Sequence, residues 1–97
     1  MASLSKRLET HRGEILAAAG RHGVRSIRVF GSVAAGTSSS SSDIDFLVEM
    51  ADESTLFDRA ALALELRSIL DCDVDVVTEK SLKPRVRSHV VREAVPL

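Results

Sequence analysis

The chain has 97 residues, a formal net charge of −1, three Phe, no Trp or Tyr, and one cysteine. A chain of this length makes one domain, 1–97, with a modest core, since it buries only about 60–65% of the surface it exposes when unfolded. No basic field draws in nucleic acid, no aromatic set stacks single-stranded bases, no disulfide framework can form, and no window nears the ~20 apolar residues of a membrane span. The first residues, MASLSKRLETHRG, lack an apolar signal segment, so the expected location is cytoplasmic.

In chain order, residues 3–22 predict a helix. Leu4, Leu8, His11, Ile15, Ala18, Ala19 and His22 recur at three- and four-residue spacings, with Ser3 as the cap and Gly23 as the terminating glycine. Residues 25–30 alternate as a strand, with Ile27 and Val29 on one face and Arg28 and Phe30 on the other. Gly31 ends it. Residues 32–36 suit at most one helical turn, and the Thr37–Ser42 run reads as a surface loop.

Residues 43–50 predict a second strand. Ile44, Phe46 and Val48 face one way; Asp43, Asp45 and Leu47 face the other. Thr55 and Asp58 form a capping-box pattern for a helix over 56–71, apolar over a wide arc and expected to be largely buried. Residues 73–78 predict a third strand. A last helix over 82–94 is expected, capped by Ser81, with Pro84 in its first turn and Leu82, Val86, Val90 and Ala94 as its apolar stripe.

The chemistry concentrates between Gly31 and Asp45. Gly31-Ser32 is followed by ten residues and then Asp43-x-Asp45. A Gly-Ser turn after a strand can hold a phosphate through its backbone N–H groups and hydroxyl. Strand carboxylates two apart point to the same side with Cα atoms about 6.6 Å apart. That reach suits two divalent ions about 3.5–4 Å apart, the arrangement of phosphoryl and nucleotidyl transfer.

A third carboxylate usually completes such a site. Asp73 and Asp75 share parity, and Asp75 lies deeper in its strand. A carboxylate in that position needs either a metal, with a role in deprotonating the attacking hydroxyl, or an ion pair with Arg25, Arg28 or Lys80. Lys83 and Arg87 share a helix face and could neutralise a triphosphate or simply be solvated. His11, His22 and His89 lack metal-ligand spacing, and Cys72, between two aspartates, is not a reactive thiolate.

These residues resemble the minimal nucleotidyltransferases (MNT domain) of the DNA polymerase beta-like superfamily. The matching pieces are VFGS at 29–32, SDIDFLV at 42–48, VDVV at 74–77 and the ending LKP…REAV. The resemblance spans nearly the whole chain. It implies an α/β (α+β) fold in which a small mixed β-sheet is flanked by helices. It implies that Gly31 and Ser32 hold the triphosphate, and that Asp43, Asp45 and Asp75 bind two Mg²⁺ ions. AMP would pass from ATP to a hydroxyl, and the acceptor would be a HEPN-type ribonuclease toxin neutralised by this chain as its antitoxin, in a complex with it.

The sequence departs from the family pattern at Ala35, where members often carry Arg. That departure favours the alternative of an antitoxin that acts by binding alone; the three aspartates favour catalysis. A third alternative, transfer to a small molecule, lacks the second helical domain that builds an acceptor pocket in such enzymes.

Overall fold

The structure is a computed structural model that describes residues 4–31 and 43–97, with side chains from residue 6 onward. Ser3, Ser32, Ala35, the expected turn at 32–36 and the serine run lie outside the described residues. The elements are α1 (Leu4–Thr10), α2 (Arg12–Arg21), β1 (Val24–Phe30), β2 (Ile44–Met50), α3 (Leu56–Leu70), β3 (Val74–Thr78), a 3-10 turn (Glu79–Ser81), α4 (Pro84–Glu93) and β4 (Val95–Pro96).

The strands form one mixed sheet in the order β3-β2-β1-β4. β1 runs antiparallel to both β2 and β4, while β2 and β3 are parallel. A parallel pair needs a long crossover, and α3 supplies it. Alternation along the strands sorts side chains to two faces. On one face, Val29, Phe46 and Val76 line up across β1, β2 and β3, with Ile27 and Val48 in the next row. These residues and Ile44 pack with Leu8, Ile15, Ala18 and Ala19 of the first two helices and with Leu62, Leu66 and Leu70 of α3. This is the core, and α2 and α3 are its roof.

Several local expectations hold. β1, β2 and β3 fall where the alternation places them. Gly23 adopts φ 77°, the left-handed conformation that terminates α2. The Thr55–Asp58 capping box forms: the Thr55 hydroxyl accepts from the Asp58 N–H, and the Thr55 N–H donates to Asp58 Oδ2 at 2.8 Å.

Others are corrected. The single helix over 3–22 is two helices with a turn at His11. The Thr10 hydroxyl donates back to the Lys6 carbonyl at 2.9 Å, a contact that bends helices, and Gly13 weakens helical propensity just beyond. α3 is not buried all round: Leu56, Phe57 and Leu64 are 73%, 84% and 66% exposed. Ser81 does not cap α4. It closes a capping box with Thr78 over the 3-10 turn, and α4 starts at Pro84 after Lys83, which makes no side-chain cap bond. Within α4 Val90 is buried, but Val86 is largely exposed. The end of the chain, Val95–Pro96, adds a short edge strand against Val29 and Arg28 that the sequence reading did not contain.

Candidate active site

The second face of the sheet carries the acidic residues. Phe30, Asp45 and Asp75 are register partners across β1, β2 and β3, and Arg28, Leu47 and Val77 form the adjacent row. Asp43 immediately precedes β2, two residues before Asp45, and Ile44 N–H donates to the Asp73 carbonyl at 3.1 Å, which locks the starts of β2 and β3 together. Leu47, on this same face, is buried beside Arg28 and Val77.

Asp43, Asp45 and Asp75 thus lie at one end of this sheet face, and Asp45 feels the other two. Asp45 has its pKa raised, first by burial and then by the negative charges of Asp75 and Asp43. Of the three cations that could have paired with Asp75, Arg25 pairs instead with Asp52 at 3.6 Å and Arg28 with Glu79 at 3.9 Å, and among the described residues Lys80 makes no ion pair with it. Asp73 diverges from the group, pairing with Arg67 at 3.1 Å. Among the described residues no ion pair reaches Asp43, Asp45 or Asp75.

Gly31 has a structural reason as well as the expected phosphate role. It adopts φ 76°, and a Cβ built there would run into Asp45 Oδ2. The glycine thus gives the Asp45 carboxylate room beside the β1 turn. The proximity of Gly31 to Asp45, read in sequence only as a spacing, is a direct packing contact.

Among the described residues, no three His, Cys, Asp or Glu side chains are drawn together tightly enough to form a ready metal cage. The donor set still fits a hard divalent ion. It consists of carboxylate oxygens, with no ion pair to any of them among the described residues, and Asp45 is already penalised for its charge. A cleft of about 350 Å³ lies at the other end of β2 and β3, lined by Arg25, Glu49, Asp52, Thr78, Glu79 and Lys80. It is remote from the aspartates and mixed in charge.

The basic pair at α4 divides. Arg87 is half-buried and donates from Nε to the Glu79 carbonyl at 2.7 Å and from Nη2 to the Leu82 carbonyl at 3.0 Å, tying α4 to the 3-10 turn. Sequence reasoning missed this fastening role. Lys83, at the start of α4, is exposed. The histidines behave as helix residues: His11 contacts Glu14, His22 contacts Glu65 and His89 contacts Glu93. The Cys72 thiol is pushed up in pKa by burial first, with Asp73 and Asp43 adding to the effect.

A small mixed sheet roofed by helices on one face and carrying an Asp-x-Asp pair and a third strand aspartate on the other defines a nucleotidyl-transfer scaffold. The nucleotidyltransferase domain model matches residues 9–97, and the chain belongs to that family. It is 39% identical over 75 residues to the protein adenylyltransferase MntA of Thermococcus cleftensis, covering 77% of this chain and 76% of that protein. A solved structure described provisionally as a minimal nucleotidyltransferase superposes with a TM-score of 0.88 at 44% identity, covering 99% of this chain and 97% of the other. A chain in the structure of the tri-AMPylated Shewanella oneidensis HEPN toxin in complex with its MNT antitoxin matches with a TM-score of 0.69 at 28% identity, covering 91% of this chain and 69% of that one. The relatives place the chain among the minimal nucleotidyltransferases, whose members include MntA-type adenylyltransferases of HEPN–MNT systems.

Proposed function

We propose that this chain, as a single minimal domain, transfers AMP from ATP to a hydroxyl of a partner protein, and that the partner is a HEPN-type toxin for which the chain is the antitoxin. The observation that carries the reading is the placement of Asp45 and Asp75 side by side, with Asp43 just before β2 and Gly31 against Asp45, and no ion pair to any of the three among the described residues. Toxin partnership rests on the MntA relative and on the HEPN–MNT complex.

In this reading Asp43, Asp45 and Asp75 hold two Mg²⁺ ions. When bound, Mg²⁺ supplies charge neutralisation at the phosphates and lowers the pKa of the attacking hydroxyl. Gly31 and Ser32 present backbone N–H groups and a hydroxyl to the triphosphate. Lys83 adds a cation there, while Arg87 reaches the phosphates only with the N–H groups that its two carbonyl contacts leave over. The acceptor oxygen attacks the α-phosphorus, the bond from that phosphorus to the bridging oxygen breaks, and pyrophosphate leaves. Asp75 helps take the hydroxyl proton. In this reading the acceptor hydroxyl belongs to the partner protein.

The test is intact-mass spectrometry of the co-purified partner after incubation with this chain, ATP and Mg²⁺. An AMP adduct on the partner, absent with Asp45→Asn, is expected. Ala35 supports the second reading, neutralisation by binding alone; a partner that is bound and silenced with no adduct would establish that reading over the first.

A further inference from the structure

Arg28 stands on the carboxylate face between two acidic residues. Its register partner is Leu47, and Leu47 pairs in turn with Val77 of β3. Asp75 lies two residues before Val77, on the same face of the strand, and Glu79 lies two residues after it, as the first residue of the 3-10 turn. Two residues of strand span about 6.6 Å. A cation reaching across β2 from Arg28 therefore has two carboxylates to choose from, one on either side of Val77. It takes Glu79: Arg28 Nη2 lies 3.9 Å from Glu79 Oε2, and among the described residues Arg28 makes no ion pair with Asp75 or Asp45. Glu79 is itself fastened by its backbone. Its carbonyl accepts from Arg87 Nε at 2.7 Å and from the Leu82 N–H at 3.2 Å, and the Thr78–Ser81 capping box closes the turn. The carboxylate that attracts Arg28 is thus tied to α4. Coulomb attraction falls with distance, so a guanidinium held at Glu79 is withdrawn from Asp75.

We propose that Glu79 is a positioning residue: it draws Arg28 to the turn end of β3 and so keeps Asp75, and Asp45 beside it, free of a protein cation. Guanidinium groups pair readily with carboxylates, so without the Glu79 charge Arg28 turns to Asp75. A guanidinium seated there takes up the oxygens that a divalent ion needs. The consequence for the metal rests on the function proposed above. The choice of Arg28 between two carboxylates does not.

Glu79→Gln keeps the side-chain shape and the backbone carbonyl that Arg87 holds, and removes only the charge. Urea denaturation of the metal-free chain measures the coupling between Arg28→Gln and Asp75→Asn, once with Glu79 present and once with Glu79→Gln. Little coupling is expected with Glu79 present. With Glu79→Gln, a favourable coupling of about two- to fivefold in the unfolding constant is expected. Equal coupling in the two backgrounds overturns the proposal, whatever the metal does. Titration with Mn²⁺, followed by electron paramagnetic resonance, tests the consequence for the site. Glu79→Gln should weaken Mn²⁺ binding about two- to fivefold, and adding Arg28→Gln should abolish that loss. In transfer assays Glu79→Gln should raise the Mg²⁺ concentration needed for half-maximal rate and leave kcat at saturating Mg²⁺ unchanged. A Mn²⁺ loss that persists when Arg28→Gln is added means that Glu79 acts through its own charge, and overturns the proposal. Wild-type chain that binds no Mn²⁺ while the coupling cycle behaves as expected sinks the metal reading instead, and leaves the positioning of Arg28 standing.

Discussion

Gly31→Ala probes the link between backbone and site. Gly31 stands at φ 76°, and placing an L side chain in that region costs about 1–2 kcal/mol. The new Cβ would meet Asp45 Oδ2 at a separation no real contact shows, with Asp45 Cγ at 3.4 Å behind it. Asp45 Oδ2 is the tip of a half-exposed side chain, and turning it off its rotamer costs about 0.5–1.5 kcal/mol, so the total is about 1.5–3.5 kcal/mol. For a domain of this size each kcal/mol lowers the melting temperature by roughly 4–8 °C. The two contributions separate in a double-mutant cycle with Asp45→Ala. Without the Asp45 carboxylate, Gly31→Ala should retain only the backbone cost of about 1–2 kcal/mol. Thermal denaturation of the four proteins measures the coupling, and transfer assays should show Gly31→Ala impaired. Equal losses in both backgrounds would refute the claim that Gly31 makes room for Asp45.

Asp45 has a folded pKa above its unfolded one, so its charge penalises the folded state. The penalty is absent below the unfolded value and grows as pH rises through the folded value. Asp45→Asn should therefore melt higher than wild type at neutral pH without metal, converge with it in acid, and lose transfer; a lower melting temperature at neutral pH would contradict the clustering. Asp75→Ala should eliminate transfer, whereas Asp73→Ala, which removes only an exposed pair with Arg67, should change transfer little and stability by less than about 1 kcal/mol; the reverse pattern would mean that the Asp45–Asp75 register is not the working one. Glu65 is held below the usual carboxylate range by its hydrogen bond to His22 and by Arg21. Its contribution is present above the unfolded value and lost as pH falls through the folded one, so Glu65→Gln should destabilise at neutral pH and match wild type in strong acid, as pH-dependent melts would report. Leu66→Ala, at a fully buried position of α3, should cost about 2–5 kcal/mol in chemical denaturation.

Elements with an internal signal were legible in the sequence. Strict alternation gave β1 and β2, and the Thr55–Asp58 pair gave the start of α3, because both signals are local. β4 has no such signal. It is two residues long, and Pro96 argues against a strand; only its edge position beside Arg28, on β1, makes it tolerable. The break at His11 was hidden because the buried positions on either side keep helical spacing while the backbone bends. α3 was misjudged for a different reason. An apolar pattern says which residues avoid water, not whether a neighbour exists to cover them. Leu62, Leu66 and Leu70 found the sheet, and Leu56, Phe57 and Leu64 did not.

At the site, parity alone placed Asp43 and Asp45 together, but it could not choose between Asp73 and Asp75. The choice lies in the pairing of two strands separated by the whole of α3, and such long-range register is not written in either strand. The fold nevertheless constrains it strongly. Sliding β2 by one residue would turn Asp43, Asp45 and Glu49 toward the roof of α2 and α3, and would expose Ile44, Phe46 and Val48. Burying unpaired carboxylates is costly, and so is exposing the most enclosed residues of the core. The same aspartates that repel one another on the open face thus act against a register error on the closed one. The alternation that fixes the core also delivers Asp45 to the side of Asp75, so the acidic row and the hydrophobic core are two consequences of a single strand period.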